Sequence, residues 1–419
     1  MIQREQISRL VQKGVKIAAP ESIELGPEVD PDRISGEGVI FHAGCKLFGG
    51  NTLICAGTDL GREAPVTIDN CQIGPDVSLK GGYFKESVFL KKAGMGSGAH
   101  VREGTILEEE ASGAHTVGLK QTILFPYVTL GSLINFCDCL MAGGTSRKDH
   151  SEVGSSYIHF NFTPNQDKAT ASLIGDVPLG VMQNQPPIFL GGQGGLVGPC
   201  RLAFGTVIAA GSIYRKDELR PGRLLVEGGG RGGNLPFAGG MYRSIKRVVE
   251  KNTLYIANLI ALRRWYEDVR LQFISDSFPD ALLEGLLEKV DLGISERLKR
   301  FEEFSRKMPE SARIYRLAVG ESASASLLAQ KIQLYERWPE MEGQFLDKKC
   351  REEGGPEKDR FLEIIQKQIR AVGKNYPAVI KSLDPAAAEI GSRWLQQVVD
   401  TISYEVFDIL STFGFSPKE

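Results

Sequence analysis

A six-residue beat in the first half of the chain constrains the fold more than any other feature. Ile34 is followed by Ile40, Ile73 by Leu79 and Leu202 by Ile208, with Gly36, Gly74, Gly205 and Gly211 close by. An aliphatic residue at every sixth position, with a small residue beside it, is the pattern of a hexapeptide β-helix. Each hexad makes one short flat strand and one tight corner, and three hexads, about 18 residues, close one triangular coil. The aliphatic side chain points into the prism. The corner favours a small residue because a larger one clashes there and glycine accepts a positive φ without strain.

The beat does not run the whole length. Of the 48 glycines, 39 lie in residues 1–240. All five histidines (42, 100, 115, 150 and 159) lie before residue 160, and all three tryptophans after residue 260. So sharp a shift marks a domain boundary, and the glycine run at 227–234 is its natural place. Residues 1–14 read as an amphipathic lead helix and 15–227 as a left-handed parallel β-helix with inserted loops. Residues 228–240 read as a Gly-rich linker and 241–419 as an α-helical domain. Three stretches interrupt the hexads. Residues 47–63 look irregular, and 141–156 and 162–170 look like polar loops, which is where a scaffold usually places its ligand contacts.

Beyond residue 240 the apolar period becomes helical. Leu254, Leu259, Leu262, Trp265 and Val269 predict a helix over 242–273. Leu282, Leu286, Val290 and Ile294 predict a second that ends before Pro309. A third is expected over 327–338 and a fourth over 361–369. The last is best marked: Asp384-Pro385 supplies a cap and an N1 proline, and Ile390, Trp394, Val398 and Ile402 begin one stripe. About five helices result, with charges on solvated faces and no catalytic pattern.

Composition excludes several classes. A net charge of −2 argues against a nucleic-acid binder. No run of 18 apolar residues predicts a membrane span, and the first residues carry no secretory signal. Seven scattered cysteines read as reduced thiols of a cytoplasmic protein. Cys137 and Cys139 stand too close for an ordinary zinc pair, and the pattern predicts no metal site.

One ordered series of motifs carries chemistry. It runs His100-Val101-Arg102-Glu103-Gly104, Gly113-Ala114-His115, Phe160-Asn161-Phe162, Asp167-Lys168-Ala169-Thr170 and Val207-Ile208-Ala209-Ala210-Gly211-Ser212. Residues 99–217 thereby resemble the acetyltransferase domain of bacterial bifunctional N-acetylglucosamine-1-phosphate uridyltransferase/glucosamine-1-phosphate acetyltransferase. No match to the uridyltransferase half is found. The resemblance implies that Arg102 and Lys168 hold phosphate and that Asn161 holds the sugar. It implies that coenzyme A lies along the corner Ala209, Ala210, Gly211 and Ser212, with acetyl-CoA or another acyl-CoA as donor. A guanidinium suits phosphate because it offers a planar fork of donors.

The resemblance also shows two departures. The family's general base is a histidine shortly after a Gly-Ser step, and the position that follows Gly131-Ser132 here is Phe136. One hexad is missing between residues 140 and 160, where a loop carries His150. Acyl transfer to an amine needs a proton acceptor, so His150 and His159 become the candidate catalytic residues. Alternation puts Tyr157, His159 and Asn161 on one side of their strand, expected to be the groove side. His150 sits among Asp149 and Glu152, and Arg147-Lys148 beside it could steer an anion. A zinc set of His100, His115 and His150 lacks a close-spaced pair. The run Gly191-Gly192-Gln193-Gly194-Gly195 is read as a turn of the prism rather than a phosphate loop.

Two functions follow. The first is a homotrimeric acyltransferase that acts on a phosphorylated amino sugar or nucleotide sugar at a subunit groove. The second is a catalytically silent sugar-nucleotide sensor or scaffold, whose helical domain docks a protein partner such as a separate nucleotidyltransferase.

Overall fold

The computed structural model describes residues 2–227, 237–347 and 355–415. Most of the expected linker, residues 228–236, lies outside them, as does Cys350. The first half is a three-sided parallel β-solenoid, and a helical region follows it. Face one is an eleven-stranded parallel sheet that runs from Lys16–Ile17 to Leu224–Leu225. Faces two and three are joined in one sixteen-stranded sheet. The join is made by two long strands, Val117–Leu124 and Ile134–Met141, which turn the corner without breaking. Both turn it through a residue in the left-handed region, Gln121 and Asp138.

The hexad beat becomes columns of side chains. On face one, Phe41, Leu60, Leu79, Leu130, Val153, Leu190 and Ile208 point inward and are fully buried or nearly so. In the first of these coils the inward residue is Phe41, and Ile40 stands half-buried outside. On face two the inward column includes Phe84, Val101, Leu119 and Phe136, then His159, Leu196 and Tyr214.

Register shows where the chain leaves the prism. Gly94 lies beside Ser112, 18 residues on, and Phe189 beside Val207, again 18. Thr129 lies beside Glu152, 23 residues on, because a hairpin is inserted. Its arms are Gly144–Ser146 and Asp149–His150. Glu152 lies beside Phe189, 37 residues on. That coil carries the insertion after Phe160 and a short helix, α2, at Val177–Gly180. The expected missing hexad is therefore not seen: this part of the prism keeps all three sides and gains residues. The stretch 47–63 is regular as well, with strands at Lys46–Phe48, Leu53–Ile54 and Asp59–Leu60. Two-residue strands between glycine corners leave little periodic signal to read.

Helix α1, Ile2–Lys13, caps the first coil. The helical region holds eight helices among the described residues: α3 Lys246–Asp268, α4 Asp280–Arg306, α5 Met308–Val319 and α6 Ala325–Glu336, then α7 Trp338–Leu346, α8 Gly355–Val372, α9 Tyr376–Lys381 and α10 Pro385–Ile409. Pro309 and Pro339 open helices instead of ending them, since an N-terminal turn has no need of their missing N–H. That is why more helices form than the sequence pattern counted.

The helical region lies on face three. Helix α4 packs along strands Gln72–Ile73, Ser87–Phe89 and Thr105–Leu107, and α3 on Ser172–Ile174. A Cβ on Gly285 would come 2.7 Å from the Gln72 amide oxygen, so the missing side chain lets α4 lie close. One hydrophobic cluster spans both halves, from Ile7 through Phe273 to Phe413. Burial at this density, at about 25 cal/mol per Å² of apolar surface, holds the two halves as one body.

Candidate functional site

The corner between faces two and three gathers Arg102, Asn161 and Lys168 from the residues that the motifs singled out. Arg102 follows Val101, whose partner Leu119 precedes Lys120, and Lys120 lies beside Cys137. The three therefore stand in one column on the outside of face two, with Arg102 exposed. Lys120 is paired to Glu103 at 2.5 Å. Burial pushes the Cys137 thiol up to about 11, with Asp138 adding to the rise, while Arg102 and Lys168 lie close enough to oppose it.

Asp138 is the centre of this corner. It sits at φ 57° with 4 % exposure, so the carboxylate needs partners. Asn161 Nδ2 donates to one oxygen, and Arg297 Nη2 of α4 donates to the other at 2.6 Å. Arg297 Nη1 reaches the Lys168 carbonyl at 3.0 Å. Arg102, Asn161 and Lys168 thus surround the Cys137–Asp138 step.

The insertion that carries Asn161 and Lys168 is tied to the helical region along its length. Tyr242 Oη donates to Asp167 at 2.8 Å, and Asn252 donates to the Ala169 carbonyl at 3.1 Å. Lys307 Nζ donates to the carbonyls of Asn165 and Gln166 at 2.8 and 2.7 Å. The Gly240 N–H donates to Asn165 Oδ1 at 2.9 Å. Burial raises the Tyr242 phenol, so it remains a donor to the carboxylate at neutral pH. What reads as a free polar loop is a clamped segment.

The two histidines sit elsewhere. His159 is 2 % exposed and faces the prism interior, between Phe136 and Leu196 in the inward column. Its Nδ1 lies 2.6 Å from the Cys137 carbonyl and its Nε2 2.8 Å from Ser172 Oγ. Burial lowers its pKa, so it is a neutral, fully bonded core residue. The outward side chains of that strand are Ile158, Phe160 and Phe162. The groove-side expectation for His159 is thus corrected: Tyr157 and His159 point into the prism, and Asn161 lies beyond the end of the strand.

His150 is half-buried on the hairpin at the corner between faces three and one, where its Nδ1 lies 3.0 Å from the Arg147 carbonyl. Arg147 staples that hairpin to the prism through the carbonyls of Glu110 and Tyr127, at 3.1 and 3.0 Å. It is committed to structure, not to steering. Within one protomer the helix-covered face three separates His150 from Arg102.

The corner expected to hold coenzyme A joins faces one and two. It stacks small residues coil on coil. A Cβ on Gly154 would lie 2.3 Å from the Gly192 nitrogen, and one on Gly191 2.3 Å from that of Ala210. The glycine run at 191–195 is thereby a turn pressed between neighbours. Ala210 and Gly211 are exposed, whereas Ser212 is 2 % exposed and accepts from the Glu227 N–H. Ala209, Ala210 and Gly211 form a bare strip of backbone that a ligand can approach, and Ser212 lies beneath it. Among the described residues no group of three or more His, Cys, Asp or Glu side chains is arranged to hold a metal ion. None of their helices is long and apolar enough to cross a membrane.

Asp138 and Arg297 were missed, although both left a trace. Arg297 falls in the apolar stripe Val290, Ile294, Arg297, Phe301, at a position that faces the solenoid. Asp138 interrupts an otherwise apolar strand between two cysteines. A charge inside an apolar pattern predicts a buried partner.

No family model matches this chain. The chain is similar to the bifunctional protein GlmU of several bacteria. It is 27 % identical over 220 residues to that of Pelobacter propionicus, covering 52 % of this chain and 42 % of that protein. With the Thermotoga petrophila protein the identity is 24 % over 222 residues, 52 % and 43 % of the two chains. With that of Lawsonia intracellularis it is 27 % over 214 residues, 50 % and 41 %. The match spans less than half the length of these curated relatives. Together with the three-sided solenoid, it makes this chain, over about half its length, a distant homologue of GlmU with a β-helix like that family's acetyltransferase domain.

Proposed function

We propose that the protein is an acyltransferase that binds a phosphorylated amino sugar or nucleotide sugar over face two and acylates its amine from acyl-coenzyme A. The observation that carries this reading is the convergence of Arg102, Asn161 and Lys168 on the Cys137–Asp138 corner. An exposed guanidinium and a half-buried lysine next to a fixed amide suit a sugar phosphate. The amine nitrogen attacks the thioester carbonyl, a C–N bond forms and the C–S bond breaks. Coenzyme A departs as a thiolate and takes up the proton that the base removed from the amine. The bare strip at Ala209, Ala210 and Gly211 suits the extended arm of the coenzyme.

A homotrimer belongs to this proposal. Phe189, Val207 and Leu224 form an outward apolar column at the end of face one, at 40, 37 and 67 % exposure. Ile158 and Ile213 do the same across the corner on face two. Between Ile40 and this patch the outward positions on face one are Asp59, Ser78, Gly94, Ser112, Thr129 and Glu152, so the apolar patch is local. A groove between copies would let a hairpin from a neighbour bring His150 to the amine, which no protomer can do for itself.

The second reading, a silent sugar-nucleotide sensor or scaffold, is favoured by one observation. Neither His159 nor Phe136 faces the groove, so the candidate base on that strand and the position aligned with the family's histidine are both turned into the prism.

The test is acetyl transfer read by mass spectrometry, with acetyl-coenzyme A and a panel of hexosamine phosphates and nucleotide-linked amino sugars. Product that is lost in Arg102→Ala and in His150→Ala supports the acyltransferase. Ligand binding with no product anywhere in the panel supports the sensor. Neither product nor binding overturns both.

A further inference from the structure

We infer a second anion site, for a small phosphate-rich ligand, at the seam where the corner of faces three and one meets the helical region. A cleft of about 640 Å³ opens there, within the size range of small-molecule sites. Its solenoid wall carries Lys91, Lys92, Glu109 and Glu110, and its helical wall Arg270, Lys374 and Lys381. Five cations face two carboxylates in a chain whose net charge is −2. The excess is local and unusual for this protein.

Lys374 donates to the Ile274 carbonyl at 2.6 Å, and Arg270 is engaged only in part. Arg270 is 1 % exposed and pairs with Glu109 at 2.5 Å through Nη2 alone. Its Nε and Nη1 are buried without a hydrogen-bond partner, as is the second oxygen of Glu109. Its guanidinium lies 3.7 Å from the Tyr376 ring centroid and 4.6 Å from that of Phe278, which fixes the plane. Lys381 lies 4.4 Å over the Tyr127 ring, and burial lowers its pKa. Lys91 and Lys92 are exposed at successive positions of one solenoid turn. Lysines on both walls of one cleft, beside a held guanidinium, suit a compact multivalent anion such as a diphosphate.

Such a ligand would bridge solenoid and helical region, and by linkage its occupancy would raise the stability of their seam. The site is separate from the Arg102 corner, so its fate does not depend on the acyltransferase reading.

The experiment is calorimetric titration of the full chain with inorganic pyrophosphate at physiological ionic strength, with sulfate at equal ionic strength as the control. The Arg102→Ala protein serves as background to silence the first site. It is expected to bind one pyrophosphate per chain and to melt at a higher temperature with pyrophosphate present. Adding Lys91→Glu and Lys92→Glu, both at exposed positions, should weaken that binding at least tenfold, and Lys381→Gln should weaken it less. Three results would overturn the inference: no binding in the Arg102→Ala background, binding that the lysine substitutions leave unchanged, or equal binding of sulfate.

Discussion

The helical region meets the solenoid at two corners through the same device, a solenoid carboxylate paired with a helical-region arginine, and the two corners differ in what is left over. At Asp138–Arg297 both carboxylate oxygens accept hydrogen bonds and the guanidinium also holds the Lys168 carbonyl. At Glu109–Arg270 one oxygen and two guanidinium nitrogens have no partner, and lysines surround the gap. Buried charges are stable when every polar atom is matched. The first corner is therefore a fully matched clamp, and the second leaves buried polar atoms unmatched beside a lysine-lined cleft.

Breaking the finished clamp should have the largest effect. Arg297→Met leaves Asp138 buried and unpaired and should cost about 3–5 kcal/mol. Adding Asp138→Asn should recover much of that, because it removes the buried charge and asparagine accepts the left-handed φ of this corner. Chemical denaturation midpoints of the native, single and double variants check both statements. A single variant as stable as the native protein would mean that the pair is not buried in solution.

The next effect concerns binding at the clamp's outer side. Arg102 is exposed on the outside of face two. Arg102→Ala should weaken a sugar phosphate by about 1.5–3 kcal/mol, roughly ten- to a hundredfold, and leave the melting temperature unchanged. The pair of histidine variants sharpens the same contrast. His159→Ala should lower stability by opening a cavity next to Phe136, whereas His150→Ala should leave stability intact and alter transfer alone.

The smallest effect distinguishes the corners by pH. Burial, together with the Glu109 charge, raises the Glu108 carboxyl from 4.5 to about 7, with Arg270 and the Tyr266 hydroxyl opposing. A carboxyl whose folded pKa is raised contributes stability that is complete below its unfolded pKa and is lost as pH climbs through the folded one. The melting temperature should therefore fall between about pH 5 and pH 8 in the native protein, and more gently in Glu108→Gln. Parallel profiles would place Glu108 outside the seam.

Much of this was legible in the sequence, and the misses have physical reasons. The hexads revealed the solenoid because each inward residue repeats once per strand, as Leu60, Leu79 and Leu190 do. Arg102, Asn161 and Lys168 were singled out by a resemblance in motif order, and the structure places all three around the Cys137–Asp138 step. His159 was misplaced because alternation tells which residues share a side and not which side is inside. The role of α4 was hidden because Arg297 acts on Asp138 from 159 residues away, and no local pattern encodes that distance. Pro309 misled in the opposite sense, since a proline that ends one helix can also begin the next.

The claim that solenoid and helical region build one site is tested most directly by hydrogen exchange across residues 161–170. The proteins to compare are the native chain and Arg297→Met/Asp138→Asn, with sugar-phosphate affinity measured on the same samples. The account predicts that the double variant keeps its global stability, loses amide protection in this segment and binds the ligand at least tenfold more weakly. Unchanged protection together with unchanged affinity would show that the helical region leaves the site untouched.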